Sequence, residues 1–342
     1  MSPADPTFVK RKKDHLTLAL KPEHQAVEMN DFDKVRLMHE ALPSGNFTEV
    51  DISSSRFGSL CPSPFFVSSM TAGHDNAYKL NDVLMQACVE TSWSMGVGSQ
   101  RRELDDPSSV DRWPLLRKKY PKLQLLSNLG VTQVIHTPIQ KLQKLVDAIE
   151  ASALIIHCNA LQECIQPEGT PQFKGALAAI ESCVNNLALP IVVKETGCGF
   201  SAATMRRLDS IGVTAIDVSG LGGTHWGRIE GGRTTKETLA HTAAIIFKNW
   251  GLTTLESLIF AKEANLACEV WASGGIRNGL DAAKAIAFGA TSVGFAKLML
   301  EAAVLGVDIV IQKMREIEHN LRIAMFCTGS FNLGSLKEVA CL

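Results

Sequence analysis

The chain has 342 residues, of which 46% are hydrophobic and 20% charged, and its formal net charge is −1. That balance suits a globular protein with a substantial core and argues against general nucleic-acid or membrane-surface binding. No apolar run approaches the roughly 18 residues of a membrane span, and the polar start Met1-Ser-Pro-Ala-Asp-Pro6 lacks the apolar centre of a secretion signal.

Residues 1–60 are the least regular part, an N-terminal arm with a basic cluster, Lys10-Arg-Lys-Lys-Asp-His15, and a charged stretch at Asp31–Arg36. After the arm, short apolar runs alternate with helical segments. Strands are expected at Phe65–Met70, Ser94–Gly98, Leu123–Asn128, Ala153–Asn159, Pro190–Glu195 and Ala215–Gly220. A seventh opens near Trp271 and ends in Gly274-Gly275; an eighth runs from Ser292 towards Lys297. Helices are expected at about Asn76–Ser92, Ile139–Ala151, Phe173–Leu187 and Ala202–Ile211, and after Gly279. The polar, glycine-rich Leu221–Arg233 reads as a long connection with helices resuming at about Thr234, and Met299–Leu342 as mostly helical. Eight strands alternating with helices predict a (β/α)8 TIM barrel with an N-terminal extension and C-terminal helices, over one domain of residues 1–342. An open doubly wound sheet is the alternative, because a local pattern does not encode closure. The nine cysteines are scattered, odd in number and without a Cys-x-x-Cys pair, as in a reduced cytoplasmic protein rather than a disulfide or zinc framework.

In such a barrel, polar residues at the C-terminal strand ends face the active site. Nearly every predicted strand ends that way: Ser69, Met70 and Thr71; Ser99, Gln100 and Arg101; Ser127 and Asn128; His157 and Asn159; Lys194; Asp217 and Ser219. Gly274 and Gly275 let the backbone approach a ligand closely, and Arg277 and Lys297 flank them with positive charge, which predicts a phosphate site after the last two strands. Lys194 steadies an anionic cofactor or pairs with Glu195 or Asp217. Gln162 and Glu163 fall just past the fourth strand, where a carboxylate suits Mg²⁺ or a helix-capping or salt-bridged role equally well. Arg11, Lys12 and Lys13 on charge alone favour solvated surface. The loop Gly220-Leu-Gly-Gly-Thr-His-Trp-Gly227 joins flexibility, a hydroxyl and an indole, and so suits a phosphate contact backed by an apolar wall.

Taken in order, Arg11-Lys-Lys-Asp-His15, Ser69-Met-Thr-Ala-Gly73, Met95-Gly-Val-Gly-Ser-Gln-Arg101, Ser127-Asn128, His157-x-Asn-x-x-Gln-Glu163, Pro167-Glu-Gly169, Val193-Lys-Glu195, Ser219-Gly-Leu-Gly-Gly-Thr-His-Trp226 and Ala272-Ser-Gly-Gly-Ile-Arg277 resemble the type 2 isopentenyl-diphosphate isomerases, which are FMN-dependent barrels. Ala72 departs from the family's usual glycine and His225 from its commoner small polar residue. The resemblance implies interconversion of isopentenyl and dimethylallyl diphosphate with reduced FMN, Mg²⁺ and NADPH as reductant, in a homo-tetramer or octamer. It places FMN contacts on Ser69, Met70, Thr71, Ser99, Asn128, Lys194, Ser219 and Thr224, with Gly274, Gly275, Arg277, Ala296 and Lys297 around the FMN phosphate. Substrate contacts fall on Arg11, Lys12, His15, Ser99, Gln100, Arg101, His157, Asn159 and Gln162, with Trp226 a candidate apolar wall. His157 and Gln162 are the catalytic candidates, and Glu163 the magnesium ligand. The arm then belongs to the substrate site instead of the surface. The rival reading is an FMN-dependent 2-hydroxy-acid oxidase or dehydrogenase, which would share the phosphate residues. A non-catalytic phosphate sensor is less consistent with so many polar strand ends.

Overall fold

Eight short parallel strands close on themselves in a computed structural model that describes residues 6–70, 75–105 and 112–342. They are β3 (Phe65–Val67), β4 (Ser94–Gly96), β5 (Leu125–Gly130), β6 (Ala153–His157), β7 (Ile191–Lys194), β8 (Ala215–Asp217), β9 (Glu269–Ala272) and β10 (Ser292–Phe295), following a hairpin of β1 (Ser54–Arg56) and β2 (Ser59–Cys61). Each barrel strand pairs with the next, and β10 pairs with β3, aligning Val293 with Phe65, so the barrel reading holds and the open sheet does not. Seven of the predicted strands run past the observed C-terminal ends by one to three residues, β5 being the exception. Interstrand backbone bonds continue one residue past several of these ends, as from Ser68 N to Phe295 O at 2.9 Å and Val218 N to Trp271 O at 3.0 Å.

The strands are buried on both faces, which is why they read as continuous apolar runs. Phe66, Leu126, Ala153, Ile155, Val192, Ala215 and Trp271 fill the barrel interior as one cluster. A larger core lies between the sheet and the surrounding helices. The hairpin, hidden inside the irregular arm, closes the bottom. Arg56 is 1% exposed there; its guanidinium donates to Ser292 Oγ at 3.1 Å and to Gln124 Oε1 and the Pro64 carbonyl, both at 3.2 Å. It also stacks over Trp271, 5.3 Å from the ring centre. A desolvated guanidinium is tolerable because its donors are met by oxygens and an aromatic face.

The opposite, C-terminal mouth is covered by the arm. The basic cluster lies on the helix Pro6–Ala19, and the segment 24–35 crosses the mouth loops through Ala26 N to Gly223 O (2.7 Å) and His225 N to His24 O (3.0 Å). Behind the barrel, the helix Val307–Cys327 packs on the helices Asp75–Thr91 and Gly279–Ala287. The tail returns to the arm: Arg36 and Leu342 exchange backbone hydrogen bonds of 2.9 and 2.8 Å.

One stretch overturns its sequence reading. Residues Trp226–Arg233 form a helix inside the predicted glycine-rich connection. Three of its eight residues are glycine, so propensity opposes it by about 1 kcal/mol each. Tertiary packing wins: Ile229, Glu230 and Gly231 are buried, and His225 caps the start by accepting from Arg228 N through Nδ1 at 3.2 Å.

Candidate active site

A chamber of about 360 Å³ opens at the mouth between arm and barrel. It brings together Arg11, Lys12, His15, Ser69, Met70, Ser99, Arg101, Asn128, His157, Asn159, Gln162, Glu163, Lys194, Ser219, Thr224, Trp226, Gly274, Gly275, Arg277, Ala296 and Lys297. The surface reading of Arg11 and Lys12 therefore fails: helix formation and packing on the helix Trp226–Arg233 turn both into the chamber. Thr71 and Ala72 lie outside the described residues. Gln100 needs a correction, because it does not line the chamber. It is 1% exposed and its Oε1 accepts from Ser127 Oγ at 2.5 Å and Asn128 N at 3.3 Å, so it props Asn128 from behind.

At one end stand the glycines. Gly274 (φ +86°) and Gly275 (φ +73°) occupy left-handed backbone. A Cβ on Gly275 would lie 2.8 Å from the Gly222 carbonyl, so no other residue fits. The helix Lys297–Leu305 starts beside them and adds the positive end of its dipole. Lys297 is ion-paired with Glu301, and Arg277 forks onto Asp33 at 2.6 and 2.8 Å and onto Asp281 at 2.7 Å. Ser68 and Ser69 hydroxyls line the chamber without a partner among the described residues.

In the middle, Lys194 Nζ donates to Asp217 Oδ2 and Ser273 Oγ, both at 2.8 Å. Of the two sequence readings of Lys194, the pairing with Asp217 is seen, and the residue also lines the chamber. His157 Nδ1 lies 2.9 Å from Asn128 Oδ1. Burial, then the Lys12 and Lys194 charges, push the imidazole down to about 3, so it is neutral at physiological pH.

At the other end Glu230 is the hub. It is fully buried and accepts from His15 Nε2 at 2.8 Å, Gln162 Nε2 at 2.9 Å and Arg233 Nη1 at 2.5 Å. Burial alone would raise its pKa, but His15, Gln162 and Arg233 outweigh it and hold the carboxyl below its ordinary value. Arg233 Nη2 also donates to Glu168 at 2.8 Å. Burial first, then repulsion from Arg101, lowers Arg11; burial and then Arg11 bring Lys12 down to about 8. These buried cations repel one another, a repulsion that a bound polyanion would relieve. His15 sits edge-on to Trp226, ring centres 5.1 Å apart.

Asn159 Nδ2 joins Gln162 Oε1 and Glu163 Oε1, both at 3.0 Å, and Glu163 Oε2 accepts from Thr170 N at 2.6 Å. Among the described residues no cluster of three or more His, Cys, Asp or Glu could enclose a metal. A hard cation at Glu163 would need oxygens from elsewhere, such as a ligand's phosphates.

Sequence reasoning missed Glu230 and Arg233. Both lie in a polar, glycine-rich segment that read as loop, and a buried Glu–Arg pair i,i+3 apart is a signal once a helix is assumed.

A closed parallel barrel with a glycine cradle after its last strands and cations on both sides of one chamber is the frame of a flavin-type β/α barrel. The family model described as FMN-dependent dehydrogenase matches residues 116–341. The same fold is seen in mandelate oxidase with (S)-2-phenylpropionate, at 19% identity and a TM-score of 0.65 over 97% of this chain and 93% of that one. Within that class, an isopentenyl-diphosphate delta-isomerase of Legionella pneumophila (strain Lens) is 55% identical over 98% of both chains. One of Bdellovibrio bacteriovorus is 48% identical over 99% of both. The chain belongs to the FMN-dependent isopentenyl-diphosphate delta-isomerase family.

Proposed function

We propose that this enzyme interconverts isopentenyl diphosphate and dimethylallyl diphosphate by adding a proton at one alkene carbon and removing one from another. The observation that carries the reading is the two-ended chamber: a glycine cradle with Lys297 for one phosphate group, and Arg11, Lys12 and Arg101 for a second polyanion. A hydroxy-acid needs one carboxylate clamp and leaves the second set without a role.

The cradle that a Cβ would fill and the unpartnered Ser68 and Ser69 hydroxyls fit FMN. Gly274, Gly275, Arg277, Ala296 and Lys297 would surround its phosphate, and Ser69, Met70, Ser99, Asn128, Lys194, Ser219 and Thr224 its remainder. When bound and reduced, FMN supplies an electron-rich ring beside an alkene that develops positive charge. Arg11, Lys12 and Arg101 bind the diphosphate, and Trp226 walls the isoprenyl chain. His157, a neutral imidazole with its Nδ1–H held by Asn128 Oδ1, is the catalytic candidate that presents a bare Nε2 as an acceptor without adding a cation next to a developing one. Gln162 is fixed between Glu230 and Asn159 and orients the reacting end. Glu163 offers one hard carboxylate, enough for Mg²⁺ that takes its other oxygens from the diphosphate. NADPH as reductant and assembly into a tetramer or octamer belong to the same reading. So does a cytoplasmic setting, consistent with nine free cysteines.

The test is anaerobic turnover of isopentenyl diphosphate in a sealed cuvette with FMN reduced, following flavin absorbance and dimethylallyl diphosphate together. Many turnovers without flavin reoxidation, and near inactivity of oxidised enzyme, are expected. Flavin that changes oxidation state in step with product would replace the isomerase with the FMN-dependent oxidase reading.

A further inference from the structure

The phosphate end has a component that neither strand pattern nor resemblance assigns. Asn30 belongs to the arm, is 8% exposed, and places its amide between the two glycine loops of the mouth. Nδ2 donates to the Gly275 carbonyl at 2.6 Å and to the Gly222 carbonyl at 3.3 Å, while Oδ1 accepts from Phe32 N at 3.0 Å. A flipped amide would set an oxygen against two carbonyl oxygens and a nitrogen against an N–H, so this orientation is the one the contacts allow.

A trans peptide points its C=O and the following N–H in opposite directions. Holding the Gly222 and Gly275 carbonyls on the Asn30 side therefore turns the N–H groups of Gly223 and Ile276 the other way. Gly222, Gly223, Gly275 and Ile276 all line the chamber. Neither the Gly223 nor the Ile276 N–H makes a backbone hydrogen bond among the described residues. The loops touch: a Cβ on Gly223 would lie 2.6 Å from Gly275 N. A carbonyl rotated inward would repel an anion, and left-handed glycines have few barriers to such rotation.

We propose that Asn30 is a positioning residue for the phosphate monoester of the cofactor. It fixes both glycine loops with carbonyls out and N–H groups in. This rests on the FMN reading above. It also gives the arm a second task, since residues 11–15 serve the diphosphate end and Asn30 the cofactor end. Asp33, three residues on, holds Arg277 at the same end.

The measurement compares FMN with riboflavin, which lacks the phosphate, by quenching of flavin fluorescence on titration with apoprotein. Wild type should favour FMN; equal affinity for both would remove the phosphate reading and the proposal with it. Given that preference, Asn30→Asp, which sets a carboxylate against two carbonyls, should weaken FMN at least about tenfold and riboflavin less than about twofold. Asn30→Ala, which frees the carbonyls without adding charge, should lose FMN selectively but less, and carries the comparison if Asn30→Asp does not fold. Unchanged FMN affinity in the variants, or equal losses for both flavins, would overturn the role of Asn30 while leaving the isomerase reading intact.

Discussion

Lys12 sits where burial and the neighbouring Arg11 guanidinium both work against its charge, bringing it down to about 8. Its folded value is depressed below the ordinary 10.5, so between about 8 and 10.5 the folded protein binds fewer protons than the unfolded chain. This group therefore favours folding more as pH rises through that window, while diphosphate binding needs the proton kept. The expected outcome is a KM for isopentenyl diphosphate that rises as pH passes about 8 in the wild type. In Lys12→Arg, which stays charged, that limb should flatten. A pH profile of KM with identical limbs in both proteins would separate Lys12 from the diphosphate. Glu163 makes a second residue-level prediction. In Glu163→Gln the amide oxygen can serve Asn159 Nδ2 or Thr170 N but not both, a stability cost of about 1 kcal/mol that a thermal melt reads. The Mg²⁺ concentration for half-maximal activity should rise at least about tenfold, because a neutral oxygen is a poorer ligand for a hard cation. An unchanged titration would return Glu163 to a capping role.

The helix Trp226–Arg233 is the element on which the substrate end depends, since it carries Trp226, Glu230 and Arg233 and has little propensity of its own. Its cap, His225, is fully buried, with Nε2 3.2 Å from the Trp250 carbonyl. The ring must therefore be neutral, with the proton on Nε2, leaving Nδ1 to accept from Arg228 N. Burial lowers its pKa below 6.5, so the folded state disfavours the proton. Stability from this group is present above pH 6.5 and is lost as pH falls from there through the folded-state value. His225→Ala should cost about 1–2 kcal/mol at the cap and more for the cavity, and should raise KM as Trp226 and Glu230 shift. His225→Asn keeps a capping oxygen, should lose less, and should soften the acid limb of a stability profile. Equal melting temperatures for wild type and His225→Ala would dismiss the cap.

On the scale of the molecule, the two ends of the chamber draw on different parts of the arm. Deleting residues 1–20 removes Arg11, Lys12 and His15 but spares the segment 24–35 that crosses the glycine loops. Diphosphate affinity should fall at least about a hundredfold, whereas FMN affinity should change little. Calorimetry with each ligand measures both. Equal loss of the two would mean that the arm acts as one undivided lid. The barrel supplies the rigid frame for this division, because Arg56 and the hairpin close its lower end and leave the mouth as the accessible face.

What the sequence determined by itself is whatever local chemistry encodes. Continuous apolar runs with polar ends marked the strands and the side chains at the mouth, and Gly274-Gly275 marked a close backbone approach. Tertiary structure decided closure of the sheet, which rests on β10 pairing with β3 across more than two hundred residues. It also decided the partners of buried charges. Lys194 reads as site or salt bridge until Asp217 and Ser273 are seen beside it. Glu230 reads as solvated loop until packing makes its segment helical, and Asn30 reads as an arm residue until the glycine loops meet it. Periodicity and turn chemistry act over a few residues and leave a local trace. The compensation of a buried charge or carbonyl is supplied by whichever residue the fold brings near, and no local pattern records it.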